Sequence, residues 1–311
     1  MRTLICGSLA FDTIMVFRDR FGRHILPDKT HMISVSFTVG DMRREWGGCA
    51  GNIAYNLKAL GGEPVVMATV GDDGEPYRDR LRKLGIATDG LATLAGTYTA
   101  QAFIITDLDD NQITAFHPGA MVRSHEVRVD DVSDVALGIV APDGRDGMRQ
   151  HAAEFRAARI PYIFDPGQGM PLFTGEELIE MIDGAAVVTV NDYEAQLLAE
   201  RTGLTEAAIA GRVDALVVTL GGQGSRIHTE GATIHVPAVP AAEVVDPTGC
   251  GDAYRAGLLY GMAQRWDWQK CGRLASLLGS MKIGSRGGQN HVVDRESVAS
   301  AYAKRFAAAL W

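Results

Sequence analysis

AAVVTVND, residues 185–192, decides the fold of this chain. Its side chains are apolar on nearly every successive position and then stop at two polar residues. A strand with one wet face alternates, whereas a strand covered on both faces reads as a continuous apolar run. Five further runs have the same character: TLICGS, PVVMATVG, VALGIVAP, IPYIFDPG and DALVVTLGG. Amphipathic stretches of helical period separate them, which is the rhythm of βαβ units. The pattern predicts an α/β protein with a doubly wound, mostly parallel sheet flanked by helices. Ligands of such sheets collect at the carboxyl ends of the strands. The polar and glycine-rich segments GSLAFD, VGDDGE, FDPGQG, VNDYEA and LGGQGS fall there.

Composition sets the outer bounds. The 311 residues are 46% hydrophobic and 22% charged, enough for a large core, and read as one domain over 1–311. A formal net charge of −8 makes a poor surface for a nucleic-acid backbone or an anionic membrane, so a small-molecule partner is expected. Cys6, Cys49, Cys250 and Cys271 stand far apart with no C-x-x-C pair, which argues for reduced thiols over a zinc site or a disulfide framework. The apolar run near the N-terminus is too short for a signal segment, and nothing approaches 18 uninterrupted apolar residues. The expected location is the cytoplasm.

Three stretches break the βαβ rhythm. Residues 98–116, YTAQAFIITDLDDNQITAF, alternate polar and apolar around an Asp-Asp-Asn turn, a hairpin signal. DTIMVF at 12–17 and ISVSFTVG at 33–40 also read as strands. Together, about 12–17, 33–40 and 98–117 would form a small β-sheet lid over the site; the alternative makes them edge strands of the main sheet. The chain would be a monomer, or a homodimer joined through the lid.

VVDPTGCGDAYRAG, residues 244–257, carries the chemistry. A strand ending at Val245, a Pro-Thr-Gly-Cys-Gly bend and a helix from about Asp252 would leave free backbone amides at a helix N-terminus, where the dipole also favours an anion. Asp252 in the first helical turn can be read as a cap. Gly249 and Gly251, on either side of Cys250, open the backbone to close approach, which a cap does not require. With phosphate held by the amides, Asp252 becomes a general base toward an attacking hydroxyl. No Walker A pattern occurs.

DPTGCGDAYRAG resembles the C-terminal signature of the ribokinase-like carbohydrate kinases, the PfkB family, with Cys250 where alanine is usual. WGGCAGNIAYNLKALGG, residues 46–62, is similar to the family's N-terminal signature. The resemblance covers residues 1 to about 300 and implies that Gly47, Gly48 and Asn52 bind substrate, together with Asp12 of GSLAFD. It implies that Asn191 and Glu194 of NDYE lie near the phosphates and the magnesium, Glu194 acting on the metal through water. Thr219, Gly221 and Gly224 of TLGGQGS would contact ATP. ATP and Mg²⁺ are the implied cofactors, and a monovalent cation such as K⁺ serves many relatives.

The hairpin TAQAFIITDLDDNQITAFHPGAM resembles that of bacterial nucleoside kinases, including those called adenosine kinases, and GGCAGN departs from the GGKGAN of ribokinases. The resemblance therefore implies phosphorylation of the 5′-hydroxyl of a ribonucleoside of the adenosine, inosine or guanosine class, in purine salvage. By period-two alternation Gln101, Phe103 and Ile105 share a face, so Phe103 is expected to pack on a base and Gln101 to bind its edge. The alternatives are a ribokinase- or fructokinase-like sugar kinase and a non-catalytic nucleoside-binding protein.

Overall fold

The computed structural model describes residues 1–25, 34–109 and 111–311. Its strands are β1 (Arg2–Cys6), β2 (Ala10–Phe17), β3 (Val39–Gly47), β4 (Glu63–Val70), β5 (Ala87–Thr93), β6 (Ala100–Thr106), β7 (Gln112–His117), β8 (Val135–Val140), β9 (Tyr162–Phe164), β10 (Val187–Asn191), β11 (Ala215–Thr219), β12 (Ser225–Thr229) and β13 (Ala232–Val236). The helices are α1 (Cys49–Ala59), α2 (Glu75–Lys83), α3 (Arg145–Ala158), α4 (Gly175–Gly184), α5 (Asp192–Thr202), α6 (Glu206–Ala210), α7 (Cys250–Ala263), α8 (Trp268–Lys282) and α9 (Arg295–Phe306).

Nine strands form one sheet in the order β13-β12-β11-β10-β9-β8-β1-β4-β5, parallel from β11 to β5 and closed at one edge by the antiparallel pair β12 and β13. All six apolar runs are parallel strands of it. Successive residues feed opposite cores: Leu4 and Cys6 pack with α3, α4 and α5, while Ile5 packs with α1, α7 and α8. Leu216 and Val218 divide from Ala215 and Val217 in the same way. This two-sided burial is why the strands are apolar at every position.

A separate four-stranded sheet has the order β3-β2-β6-β7, with β2 and β6 parallel and both outer strands antiparallel. The lid stretches are thus a sheet of their own. One boundary is corrected. Of the expected strand 33–40, residue 33 lies outside the described residues and 34–38 have no regular structure; the strand begins at Val39 and runs to Gly47. Its charged middle, Asp41 to Glu45, hid it, because an edge strand exposes both faces and is kept soluble by charge. A second correction concerns residues 237–249, which form no strand before α7. Three prolines punctuate 237–247, and the Val245 and Asp246 amides bond to the Ile283 carbonyl instead of a sheet neighbour.

Candidate active site

Two helices begin at the same place. α1 starts after Gly48 and α7 after Gly249, and both glycines have positive φ, 86° and 77°. Such angles turn the chain sharply into a helix and favour residues without Cβ. At Gly48 a Cβ would also overlap the Ser8 carbonyl oxygen, so the position is closed to side chains on two grounds. The Cys49 and Ala50 amides of α1 are taken by the Ser8 hydroxyl and carbonyl. In α7 the Cys250 amide returns to the Pro247 carbonyl. The amides of Gly249, Gly251 and Asp252 have no partner among the described residues, which leaves three donors at the positive end of a helix dipole.

Asp252 lies in the first turn of α7, half-buried. Burial pushes its carboxyl up to about 6, against an opposing hydrogen bond from Asn52 and the charge of Arg255. Asn52 is 4% exposed and both ends of its amide are engaged: Nδ2 donates to Asp252 Oδ2 at 2.8 Å, and Oδ1 accepts from Gln289 Nε2 at 3.1 Å. Gln289 also donates to the Tyr77 hydroxyl at 2.7 Å, and that hydroxyl donates to the Gly47 carbonyl at 2.6 Å. Asn52, expected to face substrate, is in this structure the orienting partner of Asp252.

Three residues pass unnoticed by motif reading. Asp165, just beyond β9, forms a two-pronged buried pair with Arg255 of α7, Nε to Oδ2 at 2.9 Å and Nη2 to Oδ1 at 3.2 Å. The pair places a guanidinium one helical turn below Asp252. Gln289 is the third. Asp165 had a signal in FDPGQG, whose polar residues follow a buried strand, but nothing local marks Gln289.

Asp12 stands on β2, half-buried, with no protein hydrogen bond to its carboxylate among the described residues. Burial, then the charges of Glu45 and Asp246, push its pKa up to about 6. Gly47 lies against it: a Cβ there would collide with the Asp12 carboxylate. An acceptor so placed, without a donor, suits a hydroxyl-bearing ligand.

The lid register corrects the expected base contacts. Asp12 stands opposite Glu45 and Ala102, and Ala102 opposite Phe116. Gln101 stands opposite Phe11, and Phe103 opposite Thr13. Directly opposed residues share a face, so Gln101 and Phe103 lie on the face away from Asp12, and Gln101 Nε2 is bound to Asp73 Oδ2 at 3.1 Å. Alternation tells which residues share a face; it does not tell which face meets the cleft. Ala102, Ile104 and Phe116 share the side of Asp12.

A cavity of about 520 Å³ is lined by Thr219, Gly221 and Gly224 together with Cys250, Gly251 and Tyr254. Three of the residues expected to bind ATP and the glycine bend before α7 therefore open into one space, which Asn191 does not line. Sequence reading missed its remaining wall, Ala238 to Val244 and Ser276 to Ile283. Asn191 and Glu194 cap α5 reciprocally: Asn191 Oδ1 accepts from the Glu194 amide and Glu194 Oε2 from the Asn191 amide, each at 2.8 Å. Glu194 Oε1 has no hydrogen-bond donor among the described residues, and burial raises the Glu194 pKa.

The model of the pfkB family carbohydrate kinases matches residues 16–295. The chain belongs to this family. Its relatives within the pfkB family include a nucleoside kinase of Methanocaldococcus jannaschii, 31% identical over 83% of this chain and 86% of that protein. Among solved structures, Burkholderia thailandensis nucleoside kinase in complex with inosine is 50% identical, covers 99% of both chains and superposes with a TM-score of 0.90. The same kinase in complex with ADP-inosine is 51% identical over 99% of this chain and 97% of that one, with a TM-score of 0.88. Among the described residues, no helix of this family member is long and apolar enough to cross a membrane.

Proposed function

We propose that the chain is an ATP-dependent nucleoside kinase that transfers the γ-phosphoryl group to the 5′-hydroxyl of a ribonucleoside. The carrying observation is that the start of α7 brings together Asp252, three amides without a partner among the described residues, and a 520 Å³ cavity lined by Cys250 and Gly251. The inosine complex of the Burkholderia kinase, at 50% identity, supports a nucleoside as the acceptor.

In this reading ATP lies in the cavity past Thr219, Gly221 and Gly224, and its γ-phosphoryl group meets the Gly249, Gly251 and Asp252 amides. Asp12 accepts hydrogen bonds from the ribose hydroxyls, Gly47 leaving room for its carboxylate and Gly48 holding the turn beside it; Ala102, Ile104 and Phe116 offer apolar contact to the base. Asp252 takes the 5′-hydroxyl proton as the oxygen bonds to phosphorus and the bond to the β-phosphate oxygen breaks, releasing ADP. Magnesium, when bound with ATP, neutralises charge across the β- and γ-phosphates. Asn191 and Glu194 are the residues that would hold it through water, since Glu194 Oε1 accepts no hydrogen bond from the described residues.

The test is ATP consumption against a panel of nucleosides and sugars. Inosine, adenosine or guanosine should exceed ribose and fructose in kcat/KM, and ribonucleosides should exceed their 2′-deoxy analogues by at least roughly tenfold. Faster turnover of ribose or fructose overturns the nucleoside assignment; no phosphoryl acceptor at all overturns catalysis.

A further inference from the structure

Lys282 is the last residue of α8 and is fully buried. Burying an ammonium is costly unless its donors are matched. Its Nζ donates to the Asp246 carbonyl at 2.8 Å and to the Ser285 carbonyl at 2.9 Å. Among the described residues it forms no ion pair. The Asp246 carboxylate is turned to other donors, the Thr248 amide on Oδ1 and the Gly287 amide on Oδ2, both at 2.8 Å. Burial lowers the Lys282 pKa, and the charge of Asp246 opposes this.

Backbone carbonyls converging on a monovalent cation are how proteins hold potassium. Here the cation is covalently attached. The carbonyls come from the two segments that fix the anion-binding bend: 246–248 runs directly into Gly249, and the Ile283 carbonyl accepts the Val245 and Asp246 amides at 2.9 and 3.1 Å. A potassium ion bound by the same two carbonyls would have to occupy the place of Nζ. The K⁺ that serves many relatives does not fit between these two carbonyls.

We propose that Lys282 is a built-in monovalent cation, a positioning residue whose ammonium orders the 246–252 loop so that phosphoryl transfer proceeds without K⁺. The proposal rests on the kinase reading for its rates and on stability measurements that need no substrate. The full-length enzyme is assayed with ATP, magnesium and inosine in choline chloride, then with KCl at equal ionic strength. K⁺ should change the intact enzyme's kcat by less than about twofold.

In choline chloride, Lys282→Ala should lose at least roughly tenfold in kcat with little change in inosine KM, and KCl or NH₄Cl should restore most of it. Lys282→Met fills the space without charge and should stay slow in both salts. Without substrate, KCl should raise the Tm of Lys282→Ala by about 2 °C or more over choline chloride, and leave the intact enzyme's unmoved. Strong K⁺ activation of the intact enzyme overturns the proposal, even where neither variant folds. Full activity of Lys282→Met, or an Ala variant indifferent to K⁺ in both rate and Tm, overturns it equally. Failure of the kinase reading alone would show as no turnover with the Tm pattern preserved.

Discussion

Asn52 Nδ2 donates to Asp252 Oδ2 at 2.8 Å, joining the first turns of two helices that begin 201 residues apart, at Cys49 and Cys250. The bond favours the charged carboxylate, while burial favours the neutral acid and sets its pKa at about 6. As the proposed base must be ionised, kcat should fall as pH drops below about 6. Asn52→Leu removes the donor, so the acid limb of the kcat profile should move to higher pH. Asp252→Asn should cost roughly 10²- to 10⁴-fold in kcat with the fold intact. A profile unmoved in Asn52→Leu separates the two residues functionally.

Asp12→Asn should trade function for stability. A carboxyl whose folded pKa, about 6, lies above its ordinary 3.8 costs nothing below pH 3.8, and its cost is complete once pH exceeds about 6. The variant should therefore melt about 2 °C or more higher than the parent at pH 8 and alike at the acid end of the range. Its nucleoside KM should rise at least roughly tenfold. Equal melting at pH 8 would mean that the carboxylate is well solvated.

Gly47→Ala should act on Asp12 without touching Asp252. The added methyl meets the Asp12 carboxylate, a side chain free to swing aside, so the protein should fold. Nucleoside KM should rise while the ATP KM stays near its parent value. Gly48→Ala meets backbone and a positive φ together, and loss of soluble protein is expected there.

Glu194→Gln keeps an amide oxygen for the Asn191 N–H, so α5 stays capped and Tm should change little. With its charge gone, half-maximal rate should require more magnesium, read from a titration at fixed ATP. An unchanged requirement reduces Glu194 to a helix cap.

Much of the main sheet was legible because each strand buried on both faces announces itself over five or six residues. The glycine bend at 247–251 was legible for a similar reason, since its backbone needs are local. The rest depended on long-range relations. β3 carries charge because it is an edge, and an edge is defined by what does not pair with it. The face of Phe103 depended on where Asp12 points, one residue out of phase. Gln289 and Lys282 take their meaning from partners that no spacing reveals.

The chain of contacts from Gly47 through Tyr77, Gln289 and Asn52 to Asp252 bridges sequence gaps of 212, 237 and 200 residues. On a ribosome, Asp252 is therefore left without its hydrogen-bonded partners until residues near 290 have emerged, when most of the nine-stranded sheet has already been made. Closing loops this long is slow compared with forming helices and neighbouring strands. During refolding, catalytic competence should appear as a late kinetic phase, after far-ultraviolet circular dichroism has reached its native value. A nascent or clipped chain lacking the last segment would hold nearly all the fold and little of the chemistry.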